Sequence, residues 1–84
     1  MRANRVVPNV SEIVRTRVLQ GKTQADVALA GDIPRATVSR VERGYDATAP
    51  TAAGICKALG REFDDLFQIV CSGGAVDQAR EGVS

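Results

Sequence analysis

GKTQADVALAGDIPRATVSRVERG, residues 21–44, is the stretch of the sequence that decides the fold. It holds two helical patterns separated by only three residues, Gly31, Asp32 and Ile33. The first pattern begins after Thr23, a residue type that caps helix N-termini well, and ends before Gly31. The second begins at Pro34, a residue favoured in the first turn of a helix, and ends before Gly44. We therefore predict helices over residues 24–30 and 34–43.

The short connection between these two helices forces them to cross steeply. A close crossing needs a small residue at the contact, and Ala28 is placed to supply it. Four apolar residues are expected to pack the two helices together: Val27, Ile33, Val38 and Val41. This spacing is typical of a helix-turn-helix.

Three further helices are predicted, one before this pair and two after it. Asn9, three residues before Glu12, has the position of an N-cap for a helix over residues 10–20. Residues 45–50 have no apolar period and are predicted to be a loop, followed by a helix over residues 51–59. A short fifth helix is indicated by Phe63, Leu66 and Phe67.

The ends of the chain are expected to lie outside this helical domain. We predict an all-α, five-helix domain over residues 10–67, preceded by a basic N-terminal arm over residues 1–9. The arm contains Arg2 and Arg5, which suit the minor groove or the backbone of DNA, although a disordered basic tail is an equal alternative. Residues 68–84 are expected to form a dimerisation segment, with a strand over residues 68–71, or a flexible tail.

Composition limits the classes of function. The 84 residues are 44% hydrophobic and 25% charged, which indicates one small domain. No apolar run approaches the roughly 20 residues of a membrane span, and no signal peptide is recognisable, so we expect a cytoplasmic protein without a membrane partner. The sequence has no histidine. The usual zinc sites and histidine-dependent catalysis are thereby excluded, and we expect no enzyme activity, metal or cofactor.

Charge is unevenly distributed along the chain. Residues 1–45 carry eight basic and four acidic side chains, a net charge of +4, whereas residues 46–84 carry three and six, a net charge of −3. On the predicted third helix, one arc of about 140° contains Arg35, Ala36, Ser39, Arg40 and Arg43, with Val38 and Val41 opposite. Such a face is either simply solvated or a contact for a polyanion.

Residues spread over most of the domain resemble the Cro and phage-repressor type of helix-turn-helix proteins, the XRE family. The matching stretches are Gly21-Lys22-Thr23-Gln24, Val27-Ala28, Ile33, Thr37-Val38-Ser39-Arg40-Val41-Glu42-Arg43-Gly44, Ala58-Leu59-Gly60 and Asp65-Leu66-Phe67. The resemblance implies a lambda-repressor-like DNA-binding domain over about residues 10–67. It also implies a structural pairing of Glu42 with Arg17, the alternative being a charge pair within the third helix.

The chain departs from the family pattern at four positions. Gly31 and Asp32 stand where the family more often has an apolar residue and then glycine, so the turn can differ in conformation from that of the family. Thr16 and Lys22 stand at positions that the family often fills with leucine, which implies a thinner interface for the first helix.

By this resemblance the third helix enters the major groove of DNA. Arg35, Ala36 and Arg40 correspond to residues that meet base edges, and an arginine can donate two hydrogen bonds to guanine. We expect at least one G·C pair in each half-site. Backbone or supporting contacts are expected from six residues: Thr23, Gln24, Thr37, Ser39, Arg43 and Tyr45.

The sequence thus predicts a transcriptional regulator that binds double-stranded DNA in a sequence-specific manner. A Cro-like or compact repressor, acting as a homodimer on a near-palindromic operator, fits best. The alternative is an antitoxin-type interaction module with autoregulatory DNA binding, in which residues 68–84 fold against a protein partner.

Overall fold

The computed structural model describes residues 4–71. Along the chain, these residues form β1 (Asn4–Pro8), α1 (Val10–Leu19), α2 (Gln24–Gly31), α3 (Arg35–Glu42), α4 (Ala49–Leu59), α5 (Phe63–Leu66) and β2 (Phe67–Cys71). The helices surround one core, and β1 and β2 form a two-stranded antiparallel sheet. The predicted five-helix domain and the strand that follows it are confirmed. None of the helices within residues 4–71 is long and apolar enough to cross a membrane.

The helix ends follow the capping residues of the sequence. The Asn9 side chain accepts a hydrogen bond from the backbone N–H of Glu12, 3.4 Å away, at the start of α1. α4 begins two residues earlier than predicted, because the Thr48 hydroxyl accepts the N–H of Thr51 and makes Thr48 the N-cap. Pro50 therefore lies within the first turn of α4, where a missing N–H costs nothing.

The core lies where α2 packs against both α3 and α4. Its most deeply buried side chains come from all five of these helices: Ile13, Val27, Val38, Val41, Ile55 and Leu66. Ala28 is buried between them, and Ile33 is partly buried against the same cluster. The packing residues predicted for the central helix pair are thus confirmed.

Hydrogen bonds connect two polar residues, Thr16 in α1 and Lys22 shortly after it, to the C-terminal half of the domain. Thr16 is only 4% exposed, and its hydroxyl accepts a 2.8 Å hydrogen bond from Nη1 of Arg61. The Nζ of Lys22 donates to the carbonyl oxygen of Ala58 at 2.7 Å. α1 and the turn that follows it are thereby attached by polar contacts to the segment after α4 and to the C-terminal end of α4.

Residues 4–8 of the expected basic arm form β1 instead. The strand pairs with β2 from Asn4 opposite Cys71 to Pro8 opposite Phe67. Val6 and Val7 are β-branched residues with high strand propensity, and Val6 packs against the core. A strand with these contacts cannot also be a free arm. Residues 1–3 and 72–84, which include Arg2 and most of the predicted C-terminal segment, lie outside the described residues.

Candidate nucleic-acid interface

The turn between α2 and α3 depends on the backbone of Asp32. This residue has φ 57° and ψ 47°, the left-handed conformation that glycine usually supplies. The N–H of Ile33 then donates to the carbonyl of Ala28 at 3.0 Å and closes the end of α2. Aspartate tolerates this conformation better than most residues, so the turn forms without glycine at position 32.

α3 presents two different faces. Val38 and Val41 are fully buried against the core. On the opposite side, Arg35, Ala36, Arg40 and Arg43 are exposed, while Thr37 and Ser39 are half-buried. The separation of apolar and basic residues predicted for this helix is therefore present in the structure.

The arginines of α3 differ from the other arginines in their electrostatic partners. Within residues 4–71, the ion pairs join Arg5 to Asp46, Arg15 to Glu12, Arg17 to Glu42 and Arg61 to Asp65. Arg35, Arg40 and Arg43 take part in none of them. Their positive charge is not neutralised by a nearby carboxylate, so this face attracts an anionic partner.

A half-buried network connects α1, α2 and α3. Arg17 donates two hydrogen bonds to the carboxylate of Glu42, at 2.7 Å from Nε and 3.0 Å from Nη2, and a third to the carbonyl of Lys22. The pairing of Glu42 with Arg17 implied by the family resemblance is thus confirmed. The hydrogen bond to Glu42 raises the pKa of Arg17 above its ordinary value.

Gln24 belongs to the same network, which the sequence did not indicate. Its Nε2 donates to Oε1 of Glu42 at 3.0 Å. An amide nitrogen carries two hydrogens, so one remains to donate to a phosphate oxygen. Gln24 is therefore placed between the Arg17–Glu42 pair and solvent at the N-terminus of α2.

Thr23 serves first as the cap of α2. Its hydroxyl accepts the N–H of Asp26 at 3.0 Å, and the Asp26 carboxylate accepts the N–H of Thr23 at 2.8 Å. Hydrogen bonds that the Asp26 carboxylate receives from the backbone N–H and from the side chain of Thr23 lower the pKa of Asp26 below its ordinary value.

Tyr45 lies directly after α3, beside two of its arginines. The Cζ atom of Arg40 is 4.9 Å from the centroid of the Tyr45 ring, and the Cζ atom of Arg43 is 5.7 Å from it. Both distances are within the range of a cation–π interaction. Tyr45 was expected to make a backbone or supporting contact with DNA, and in the structure its ring lies against the guanidinium groups of both arginines.

The loop after α3 is held by β1, a contact that the sequence did not indicate. Arg5 forms a two-pronged ion pair with Asp46, with Nε 2.8 Å from Oδ2 and Nη2 3.2 Å from Oδ1. The N–H of Ala47 donates to the carbonyl of Val6 at 2.9 Å. Arg5 also lowers the pKa of Asp46. The strand propensity of Val6 and Val7 was the available signal.

Comparison with known families gives one match. The family model described as helix-turn-helix matches residues 13–66. The match includes the whole of α2, α3, α4 and α5 and most of α1, and it leaves out β1 and β2. The chain has no significant match among curated proteins or among solved structures.

Proposed function

Because the chain belongs to the Cro and phage-repressor type of helix-turn-helix proteins, the XRE family, we propose that it is a sequence-specific repressor acting as a homodimer. The family consists of DNA-binding domains of transcription regulators and is not a family of enzymes. The finer proposal concerns how this chain reads DNA and how two copies combine on a near-palindromic operator.

The observation that carries the proposal is the set of guanidinium groups on α3 without carboxylate partners. Arg35, Arg40 and Arg43 are exposed on one side of a short helix whose other side is fully buried. An α-helix fits the major groove of B-DNA, where arginine can donate two hydrogen bonds to O6 and N7 of guanine. We assign base reading to Arg35 and Arg40, and contact with a thymine methyl group to Ala36.

The neighbouring residues suit the DNA backbone. Gln24 has a free amide hydrogen at the N-terminus of α2, where the helix dipole also favours a phosphate. Thr23 at the N-terminus of α2 carries a hydroxyl group, as do Thr37 and Ser39 on α3, and Arg43 lies at the C-terminal end of α3. Contacts of this kind fix the register of α3 in the groove without adding sequence information.

The free edge of β2 supports the homodimer. β1 has a partner on both sides, with β2 along its length and Ala47 bridged at Val6. Within residues 4–71, β2 has a partner on one side only. Ile69 lies on the same face as the buried Phe67 and yet is 59% exposed. Antiparallel pairing of β2 with its copy in a second molecule would use the free backbone groups and cover Ile69.

Selection of bound duplexes from a random DNA library, at near-physiological salt, tests the proposed function. We expect enrichment of an inverted repeat with a G·C pair in each half-site and half-site centres about one helical turn apart. Salt-sensitive binding without any enriched sequence would contradict the proposal. Purification of a second polypeptide with the chain would instead favour the antitoxin-type alternative, which depends on residues 68–84.

Sedimentation equilibrium tests the dimer separately. We expect Ile69→Asp to sediment as a monomer and to lose the preference for an inverted repeat, because the proposed strand pair would bury a charged carboxylate in each molecule. Gln68→Asp is the matched control, since Gln68 is exposed on the opposite face of the same strand. Equal association of the two variants would exclude this dimer surface.

A further inference from the structure

The end of α3 brings Tyr45 to Arg40 through the backbone. The N–H of Gly44 donates to the carbonyl of Val41 at 3.0 Å, and the N–H of Tyr45 donates to the carbonyl of Arg40 at 3.1 Å. These two bonds form a Schellman motif, in which the second residue after the cap lies against the third-last residue of the helix. Gly44 has φ 96°, a conformation that suits glycine, so the chain reverses here and places the ring beside Arg40.

The ring of Tyr45 has two positive groups within reach. Arg40 and Arg43 are three positions apart on the helix and therefore neighbours of like charge, an arrangement that is unfavourable by itself. The face of an aromatic ring carries partial negative charge and attracts a guanidinium group within about 6 Å. A ring 4.9 Å from one group and 5.7 Å from the other attracts both.

The residues that follow Tyr45 hold its backbone in place. Asp46 is ion-paired with Arg5, and Ala47 is hydrogen-bonded to Val6 of β1. The backbone of Tyr45 is therefore fixed on one side by the end of α3 and on the other by the sheet. A ring whose backbone is fixed in this way can restrict the conformations of the arginine side chains that stack on the ring.

We propose that Tyr45 is a specificity-determining residue of the DNA interface, acting through its ring as a platform that positions the Arg40 guanidinium for base reading. The inference rests on the proposed function. A flexible arginine loses side-chain entropy when it binds a base. If the arginine is already restricted by stacking in the free protein, the entropic cost of binding is smaller. The phenol hydroxyl is not needed for this role, which separates it from a hydrogen bond to phosphate.

Three substitutions of Tyr45 distinguish a ring from a hydroxyl. Tyr45→Phe keeps the ring and removes the hydroxyl, Tyr45→Trp offers a ring with stronger attraction for cations, and Tyr45→Leu keeps apolar bulk without a ring. On the operator selected by the wild-type protein, we expect the Phe and Trp variants to bind at least as tightly as the wild type. Tyr45→Leu should bind about two- to fivefold more weakly, the equivalent of one exposed cation–π interaction.

The loss should be specific to one base pair. In Tyr45→Leu, preference should weaken at the base pair that Arg40→Ala also relaxes, while affinity for random duplex changes little. Proton NMR of the DNA-free protein gives an independent reading. The δ-protons of Arg40 and Arg43 should be shifted upfield by the ring current in the wild-type, Phe and Trp proteins and not in the Leu variant.

Two results would overturn the inference while leaving the proposed function intact. One is unchanged base preference in Tyr45→Leu, and the other is a Phe variant as weak as the Leu variant, which would assign the effect to the hydroxyl. A wild-type protein without any sequence preference would overturn the proposed function itself. Thermal unfolding of each variant shows that the fold is retained, as expected for a residue that is 52% exposed.

Discussion

Gly31 of α2 and Gly54 of α4 touch backbone to backbone. A Cβ atom on Gly31 would lie 2.6 Å from the carbonyl oxygen of Gly54, and a Cβ atom on Gly54 would lie 2.7 Å from the carbonyl oxygen of Gly31. Neither position has room for a side chain. This contact sets how closely α2 approaches α4, and it explains why glycine is required at both positions.

Gly31→Ala and Gly54→Ala should each destabilise the fold. The added methyl group meets a backbone oxygen, which cannot move aside without shifting a helix, so we expect a loss of about 1 to 3 kcal/mol of unfolding free energy. Chemical denaturation measures it. Ala53→Ser, at an exposed position next to Gly54, is the control and should change little. A stabilising Gly31→Ala would show that the two helices are not in backbone contact.

Asp32→Gly should stabilise the protein. The residue has φ 57°, and glycine adopts this conformation without the clash that a Cβ atom causes. We expect a gain of about 0.5 to 1 kcal/mol, which denaturation curves can detect. Asp32→Asn controls for the loss of charge and should be nearly neutral, because asparagine also tolerates the left-handed region. Equal stability of the Gly and Asn variants would mean that no strain is stored in the turn.

The Arg17–Glu42 pair should show strong energetic coupling. The side chains are 16% and 6% exposed, so loss of one partner leaves the other charge poorly solvated. Glu42→Ala should cost about 3 kcal/mol of unfolding free energy. The double variant with Arg17→Ala should cost clearly less than the sum of the two single changes. Additive costs in this double-mutant cycle would show that the pair contributes no interaction of its own.

Stability should fall in acid, partly through two surface carboxylates. Asp26 and Asp46 have pKa values below their ordinary range because of hydrogen bonds from Thr23 and Arg5 respectively. The unfolded chain then binds more protons than the folded one. Their contribution is complete above about pH 4 and disappears as the pH falls through the lowered values.

Melting temperatures at pH 7 and at several values between pH 5 and pH 2 check this pH dependence. In the double variant Asp26→Asn and Asp46→Asn, the decrease in melting temperature on acidification should be smaller than in the wild type. Asparagine at position 26 keeps an oxygen that can accept the N–H of Thr23, so the cap of α2 remains. At position 46 it keeps only one of the two oxygens that accept from Arg5. Parallel acid profiles for the two proteins would assign the acid sensitivity to other groups.

Arg40→Ala and Gln24→Ala should affect DNA binding in different ways. The first should cost roughly 1 to 3 kcal/mol on the selected operator and relax preference at one base pair, because it removes a base contact. The second should weaken binding to all sequences about equally, because it removes a phosphate contact and one hydrogen bond to Glu42. Binding of each variant to operator and random duplexes measures both effects. Uniform weakening by both variants would remove Arg40 from the base-reading residues.

The helices were predictable because their signals are local. Thr23, Pro34 and Gly44 stand at or next to helix ends, and the apolar spacing of each segment shows which side is buried. The basic face of α3 followed from the same periodicity. The contacts of Gln24 and the pairing of Arg5 with Asp46 were not predictable in this way, since each joins residues that are far apart in the sequence.

β1 was misassigned for a related reason. The five residues of β1 include two valines and therefore have strand propensity. A strand also needs a partner, however, and the partner of β1 is the last described element of the chain. A basic residue at position 5 favoured an arm for DNA, whereas its carboxylate partner lies 41 positions later. Arg5 therefore neutralises the carboxylate of Asp46 in the loop after α3 and is not a free side chain for a groove of DNA.

The pairing of β1 with β2 also determines the order in which the protein can be completed during synthesis. The first strand leaves the ribosome long before its partner, so Val6 and Val7 stay without a neighbouring strand while all five helices are made. Contacts between such distant parts of a chain form late in folding, because closing the long loop between them costs conformational entropy until the intervening residues have folded. The loop after α3 is held by the same strand, so we expect this loop to be fixed only after residues 67–71 have emerged and paired with β1.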